Sequence, residues 1–276
     1  MSELVSTQWL SEHLGEVRVV DASWYMPEDK RAPAKEFEAG HIPGAVFFDI
    51  DGIADHQTDL PHMLPTPQEF ARAVGALGIG DGETVVVYDG AGLFSAPRVW
   101  WTFKAMGHPE IKVLDGGLPK WKAEGRSLET GPARPQTRTI TASLKPLLVR
   151  DFDGMLEIVA DKTCQIVDAR SAGRFTGQEP EPRVGLRSGH MPGAANVHHR
   201  MLIASDGTLK PKTELGAIFQ QAGIDLGRPI VTSCGSGISA AILMLALEEI
   251  GAKDTALYDG SWTEWGSRPQ APVVTG

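Results

Sequence analysis

Cys234 is the residue whose type and position best fit covalent chemistry. It follows the short apolar run 229–233 and precedes the glycines Gly235 and Gly237 and the helical run 240–247. Backbone N–H groups converge at a helix amino terminus, so this position favours a thiolate over a thiol. A thiolate is the nucleophilic form of cysteine. The segment therefore predicts covalent sulfur chemistry.

Three other interpretations compete with a sulfur nucleophile. A cysteine at a strand end can be a small buried hydrophobic residue. The run 235–240 matches the G-x-G-x-x-A pattern of dinucleotide-binding folds, but too little of the chain follows Ala240 for the βα units that such a fold needs. Cysteine phosphatases place an arginine six positions after the cysteine to hold phosphate, and here Ala240 stands at that position. The nucleophile remains the favoured interpretation.

Composition narrows the class of protein. The chain has 276 residues and a formal net charge of -9, which argues against nucleic acid or an anionic membrane surface as partner. Its two cysteines, Cys164 and Cys234, form no C-x-x-C pair, which argues against a cysteine-rich zinc site. No metal ion and no cofactor are expected. Cys164 is expected in the core. No secretory signal pattern or membrane-length apolar run is present, so we expect a cytoplasmic protein in a reducing compartment.

The chain contains an internal repeat of four motifs. The paired segments occur in the same order with nearly constant spacing: 17–23 with 164–170, 40–45 with 189–194, 85–90 with 230–235, and 114–121 with 258–265. Asp89 occupies the position equivalent to Cys234 and cannot act as a sulfur nucleophile. We therefore expect the second half to carry the chemistry and the first half to support it.

Each half alternates short apolar runs with helical patterns, which predicts an α/β fold with a parallel sheet flanked by helices on both faces. We predict strands at 17–21, 85–88 and 112–114 and helices at 66–77 and 95–106. The segment 125–146 is rich in Gly, Pro, Thr and Arg and lacks periodicity, so it is predicted to be a linker. The expected domains are 1–124, which is non-catalytic, and 147–276, which is catalytic.

The doubled Asp-Ala-Ser/Arg and Gly-His-x-Pro-Gly-Ala motifs, together with Asp-Gly-Ser-Trp-Thr-Glu-Trp at 259–265, resemble the two-domain rhodanese-like sulfurtransferases over nearly the whole chain. The resemblance implies two tandem rhodanese-like domains. The loop Cys234-Gly235-Ser236-Gly237-Ile238-Ser239-Ala240 is similar to the mercaptopyruvate branch, which typically reads Cys-Gly-Ser-Gly-Val-Thr-Ala. The thiosulfate branch typically has Arg-Lys directly after the cysteine, whereas this loop carries no charge.

The resemblance implies a substrate site around the cysteine loop. It assigns substrate binding to Arg174 and Arg183, and a guanidinium can hold a carboxylate through two parallel hydrogen bonds. The loop residues expected to contact substrate are Gly235, Gly237, Ile238, Ser239 and Ala240. Arg187 lies outside the matched positions and is expected at the surface.

A proton relay is also implied by the resemblance. Ser236 is expected to relay a proton, with His41 as the matching histidine and an unassigned acidic partner. His41 and His190 both lie in Gly-His-x-Pro-Gly turns, although only one half has the cysteine. Fixing the turn is therefore the first explanation for each histidine.

The activity that follows is transfer of sulfur from 3-mercaptopyruvate through a Cys234 persulfide, with release of pyruvate. The acceptor is expected to be a thiol such as thioredoxin or glutathione, or cyanide, and a monomer is the default for the family. Two alternatives stay open, namely a thiosulfate sulfurtransferase and a non-enzymatic persulfide carrier. The arginine pair argues against the carrier, because a carrier needs no clamp for a small acid.

Overall fold

The computed structural model describes residues 2–276, which form two compact units. The first unit contains the described residues up to His56, Leu64–Lys145 and Ala204–Leu209. The second contains Gln57–Met63, Pro146–Ile203 and Lys210–Gly276. The chain therefore enters each unit more than once.

The first unit is built on a parallel sheet of five strands in the order β1-β5-β4-β2-β3. The strands are β1 (Leu4–Val5), β2 (Arg18–Asp21), β3 (Val46–Phe47), β4 (Val85–Tyr88) and β5 (Ile111–Leu114). The helices are α1 (Thr7–Glu12), α2 (Pro33–Ala39), α3 (Pro67–Ala76), α4 (Ala96–Ala105) and α5 (Gly117–Ala123), and a 3₁₀ helix spans Pro27–Asp29.

The second unit repeats this architecture in the order β6-β10-β9-β7-β8, again with parallel strands. Its strands are β6 (Val149–Arg150), β7 (Gln165–Asp168), β8 (Ala195–Asn196), β9 (Ile230–Ser233) and β10 (Thr255–Tyr258). Its helices are α6 (Phe152–Asp161), α7 (Ala172–Thr176), α8 (Lys212–Gln221), α9 (Ala240–Glu249) and α10 (Ser261–Ser267), with 3₁₀ helices at Pro146–Leu148 and His199–Leu202.

The central strands are covered on both faces. All four residues of β4 are buried, and alternate residues of a strand point to opposite faces. Val86 and Tyr88 pack in a core cluster with Leu10, Phe37 and Trp121 from the helices on one face. A buried strand of this kind requires helices on both faces, and the predicted doubly covered parallel α/β fold is confirmed.

Local sequence explains where the predicted helices begin. Thr66 caps α3, because its hydroxyl accepts the amide of Glu69 while the Glu69 carboxylate accepts the amide of Thr66. α9 differs in being apolar on all sides, and every residue of it except Glu248 is buried. This central helix follows the cysteine loop and fixes the carboxyl-terminal end of that loop.

The segment 125–145 forms neither a helix nor a regular strand and packs with the first unit. Its backbone pairs with His41 at Glu129 and with Gly75 at Arg138. Within residues 2–276, no helix combines the length and the apolar character that crossing a bilayer requires.

Candidate active site

The cysteine loop spans residues 234–239, between β9 and α9. Cys234 lies directly after the strand and is only 2% exposed. The amide of Gly237 donates a hydrogen bond to Cys234 Sγ at 3.1 Å. Gly237 adopts a φ of +82°, a conformation that glycine tolerates and other residues resist. The turn therefore aims a backbone donor at the sulfur.

The amino end of α10 holds the loop in place. Ser261 Oγ accepts the amide of Cys234 at 3.2 Å, and the amide of Trp262 donates to the Cys234 carbonyl at 2.9 Å. Thr263 donates to the Gly235 carbonyl through both its amide and its hydroxyl, at 2.9 and 2.7 Å. These four hydrogen bonds tie the loop to α10 without the help of any ligand, which favours a preorganised loop.

In the first unit, the loop equivalent to the cysteine loop holds a carboxylate in place of the thiol. Asp89 stands at the position of Cys234 and is 1% exposed. Its Oδ2 accepts the amides of Phe94, Ser95 and Ala96 at 2.7–2.9 Å, and its Oδ1 accepts that of Ala91 at 2.9 Å. The turn between strand and helix thus holds an anion by backbone N–H groups. A thiolate at the same place in the second unit meets the same kind of donor.

Arg174 lies against the cysteine loop. Its Nη2 is 3.0 Å from the position that a Cβ on Gly235 would occupy, so only glycine leaves normal room for the guanidinium. The Nε and Nη2 atoms of Arg174 donate to the carboxylate of Glu181, at 3.3 and 2.5 Å. That contact uses one edge of the guanidinium. The edge formed by Nη1 and Nη2 stays available to a ligand carboxylate.

Glu181 is itself held from behind by Arg170. Arg170 Nη1 donates to Glu181 at 2.7 Å, and its Nε and Nη2 donate to Asp168 at 2.6–3.1 Å. Its Nη2 also donates to the Gly189 carbonyl, and its guanidinium stacks over Trp262. Burial alone would lower the pKa of Arg170, but attraction to the two carboxylates outweighs it and the pKa is raised. Arg170 is therefore a permanent buried cation.

Two histidines near Arg174 lie where the 3₁₀ helix after β8 begins: His198 precedes the helix and His199 is its first residue. The pKa of His198 is lowered by burial and then by the positive charges of Arg200 and Arg174. Burial, with His198 as a further cause, lowers the pKa of His199 to about 4. His199 Nδ1 is 3.3 Å from the Ala169 carbonyl. Both imidazoles are therefore neutral at pH 7.

The structure gathers most of the predicted substrate residues in the second unit. Gly235, Ser236, Gly237, Ile238, Ser239 and Ala240 all belong to the cysteine loop or the first turn of α9. Ser236 is buried in this loop. Arg183 lies on the segment that follows α7, is partly exposed, and makes no ion pair within residues 2–276. Its guanidinium is thus available to an anion.

His41 lies in the first unit, beside the start of β2 and β3. Its ring stacks on Phe37 at 3.9 Å and its Nδ1 lies 2.7 Å from the Phe37 carbonyl. His190 repeats this arrangement with Phe175, at 3.8 Å between rings and 2.9 Å to the carbonyl. The shared geometry fits the turn-fixing role that the sequence analysis gave first.

Arg187 corrects one expectation. It is not a surface charge: its guanidinium donates to the carbonyls of Trp265, Gly266, Arg268 and Ala271. These carbonyls lie at the end of α10, where a helix leaves acceptors unsatisfied and favours a cation.

Sequence patterns predict no functional role for Arg170, Glu181 or the two neutral histidines, His198 and His199. One feature of the sequence could have indicated the importance of Arg170: the equivalent position of the first repeat is Ser23.

Cys164 is partly buried and packs against the core of the second unit.

Comparisons with known proteins agree with this architecture. The model of the rhodanese-like domain matches residues 6–124 and again residues 152–268. Thiosulfate/3-mercaptopyruvate sulfurtransferase 2 of Arabidopsis thaliana is 46% identical over 294 residues, covering 98% of this chain and 86% of that protein. The 3-mercaptopyruvate sulfurtransferase of Escherichia coli K12 is 43% identical over 272 residues, covering 98% of this chain and 96% of that protein.

A solved structure gives the same result. The crystal structure of SseA from Escherichia coli, a 3-mercaptopyruvate sulfotransferase with the rhodanese fold, matches with a TM-score of 0.88 and 40% identity. The match covers 95% of this chain and 99% of that one. Two rhodanese-like domains, matched over nearly the full length, place the chain in the rhodanese family.

Proposed function

We propose that this protein is a sulfurtransferase that takes sulfur from 3-mercaptopyruvate through a persulfide on Cys234. The observation that carries this proposal is the juxtaposition of Cys234 Sγ, the Gly237 amide that donates to it, and the Arg174 guanidinium over Gly235. The nucleophile stands on the cysteine loop, and an arginine of α7 that can hold a carboxylate packs against the same loop. The relative from Escherichia coli K12 is named for this activity, and the relative from Arabidopsis thaliana is named for both thiosulfate and 3-mercaptopyruvate.

The first half-reaction forms the persulfide. The Cys234 thiolate attacks the sulfur of 3-mercaptopyruvate, so an S–S bond forms while the bond between that sulfur and C3 breaks. The electron pair of the broken bond leaves with pyruvate as its enolate, which takes up a proton. Ser236 relays that proton, and Arg174 and Arg183 hold the carboxylate and polarise the ketone. The loop amides stabilise negative charge on the sulfurs.

The second half-reaction releases the outer sulfur. A thiolate or cyanide attacks it, the S–S bond breaks, and the Cys234 thiolate is regenerated. Thioredoxin, glutathione and cyanide are the proposed acceptors. A reducing cytoplasm fits both the free thiols of Cys164 and Cys234 and this step, and we propose a monomer as the working form.

The absence of charge at Gly235 and Ser236 supports 3-mercaptopyruvate over thiosulfate as donor. Thiosulfate is a compact dianion and gains from cations inside the loop. A 2-oxo acid has a single carboxylate, which suits an arginine at the rim.

Steady-state kinetics with both donors test the assignment. Pyruvate release from 3-mercaptopyruvate should exceed thiocyanate formation from thiosulfate and cyanide by at least tenfold in kcat/KM, a difference of about 1.4 kcal/mol. A tenfold preference for thiosulfate would refute the donor. If Cys234 can carry a persulfide but the protein turns over neither donor, the protein would instead be a carrier.

A further inference from the structure

A row of four charged side chains behind the cysteine loop is not repeated in the described part of the first unit, where Ser23 stands at the position of Arg170. In the second unit, Asp168, Arg170, Glu181 and Arg174 alternate in charge, and they run from the end of β7 to the loop. The side chains of the first three are at most 3% exposed, whereas that of Arg174 is 22% exposed. This row of charged side chains therefore begins in the core at Asp168 and ends at Arg174, which a ligand can reach.

The fold itself does not require these charges. In the first unit, Asp21 stands at the position of Asp168 and is satisfied by the neutral groups of Ser23 and Tyr88. Burying ion pairs is costly, and neutral groups often serve the same structural purpose. The half that keeps the charges is the half that has the cysteine.

The geometry gives Glu181 a specific task. Its carboxylate accepts hydrogen bonds from Nε and Nη2 of Arg174. A further hydrogen bond from Arg170 fixes the orientation of this carboxylate. An arginine side chain has several rotatable bonds, and ordering them on binding costs free energy. With Glu181 in place, that ordering is complete before the substrate arrives.

We propose that Glu181 is a positioning residue for sulfur transfer, which holds the Nη1–Nη2 edge of Arg174 ready for the carboxylate of a 2-oxo acid. The inference deepens the proposed function and rests on it for the identity of the donor. Glu181 acts only through Arg174, so removing Arg174 must make Glu181 irrelevant to substrate recognition.

Alkylation of Cys234 tests this role without requiring turnover. The thiolate displaces bromide from 3-bromopyruvate: a C–S bond forms, the C–Br bond breaks and bromide leaves. Bromoacetone presents the same bromomethyl ketone without the carboxylate. The ratio of the two alkylation rates therefore measures how well the protein recognises the carboxylate, separately from the reactivity of the thiol.

In the full chain, Glu181→Gln should lower this ratio by about tenfold, and Arg174→Ala should lower it at least as much. The double variant should match Arg174→Ala alone, because the two residues act as one unit. Glu157→Gln, which removes an exposed glutamate on α6, should leave the ratio unchanged. A ratio unchanged by Glu181→Gln, or lowered by the same factor in both backgrounds, would overturn the proposal.

Should Glu181→Gln fail to fold, Glu181→Asp provides the test. It keeps the charge next to Arg170 but retracts the carboxylate from Arg174 by one methylene. The ratio should fall at least threefold, and only when Arg174 is present; an unchanged ratio contradicts the proposal. If this pattern holds but no pyruvate is released from 3-mercaptopyruvate, the positioning role stands and the proposed donor is wrong.

Discussion

Substituting Gly235 by alanine perturbs the contact between the cysteine loop and Arg174 without altering any charge. The added Cβ would lie 3.0 Å from Arg174 Nη2, while ordinary van der Waals contact begins near 3.4 Å. The guanidinium must therefore retreat by a few tenths of an ångström. The backbone of Gly235 is not in the left-handed region, so alanine adds no backbone strain there.

The size of the effect follows from how Arg174 is held. Its ion pair with Glu181, backed by Arg170, resists the retreat, so the guanidinium shifts as a strained group rather than a free one. A misplacement of 1 Å can cost about a hundredfold in rate. For a shift of a few tenths of an ångström we expect a loss of about three- to tenfold in kcat/KM for 3-mercaptopyruvate, or about 0.7–1.4 kcal/mol.

The assay is pyruvate release at saturating acceptor, combined with thermal unfolding of the same sample. Activity should fall while the midpoint of unfolding changes little, since the restriction that alanine puts on the unfolded chain offsets the strain at Arg174. Gly216→Ala is the matched control, because the same added methyl meets no atom within 4 Å. It should leave kcat/KM unchanged.

The reasoning also requires that the loss depend on Arg174. In an Arg174→Ala background, Gly235→Ala should have no further effect on kcat/KM. Full activity of Gly235→Ala, or an equal loss in both backgrounds, would refute the steric account.

Three other substitutions probe the framework. Asp89→Asn should destabilise the protein by about 2–4 kcal/mol in chemical denaturation, because an amide replaces a carboxylate that accepts four backbone N–H groups; a change below about 0.5 kcal/mol would contradict the anion cradle. The folded-state pKa of His199, about 4, lies below its unfolded value near 6.5, so the unfolded chain binds more protons between these pH values and stability falls as pH drops through that window. His199→Asn should remove up to about 3 kcal/mol of that fall between pH 6.5 and 4, and an identical pH profile would argue against the shift. Arg187→Lys should cost about 1–3 kcal/mol, measured by thermal unfolding, because an ammonium cannot reach four carbonyls at once; an unchanged midpoint would contradict the clamp at the end of α10.

Local patterns in the sequence were sufficient to predict the repeat and its elements. The predicted helix at 66–77 is α3, Pro67–Ala76, and the predicted strand at 85–88 is β4, Val85–Tyr88. The helix is amphipathic and begins at a capping residue, and the strand is a short apolar run bounded by turn residues, so short-range chemistry determines both. The two halves then reproduce the same strand order, as the repeated motifs predicted.

Interactions between distant segments could not be predicted in the same way. The sequence predicts a surface charge at Arg187 because its partners lie about eighty residues later, in α10 and just after it. The grip of Glu181 on Arg174 depends on how the segment after α7 folds back over β7, which no periodicity encodes. At Asp89 the sequence indicates only the loss of a nucleophile. The structure adds that its carboxylate accepts hydrogen bonds from the backbone amides of the turn.

The central claim is that Cys234 carries the transferred sulfur, and mass spectrometry of the intact protein tests it most directly. One equivalent of 3-mercaptopyruvate without acceptor should add the mass of one sulfur atom, located at Cys234, and release one equivalent of pyruvate. Cyanide should then remove the added mass. Cys164→Ser should behave like the unmodified protein, and Cys234→Ser should show neither the adduct nor pyruvate. Pyruvate release by Cys234→Ser, or an adduct on Cys164 instead, would contradict the account.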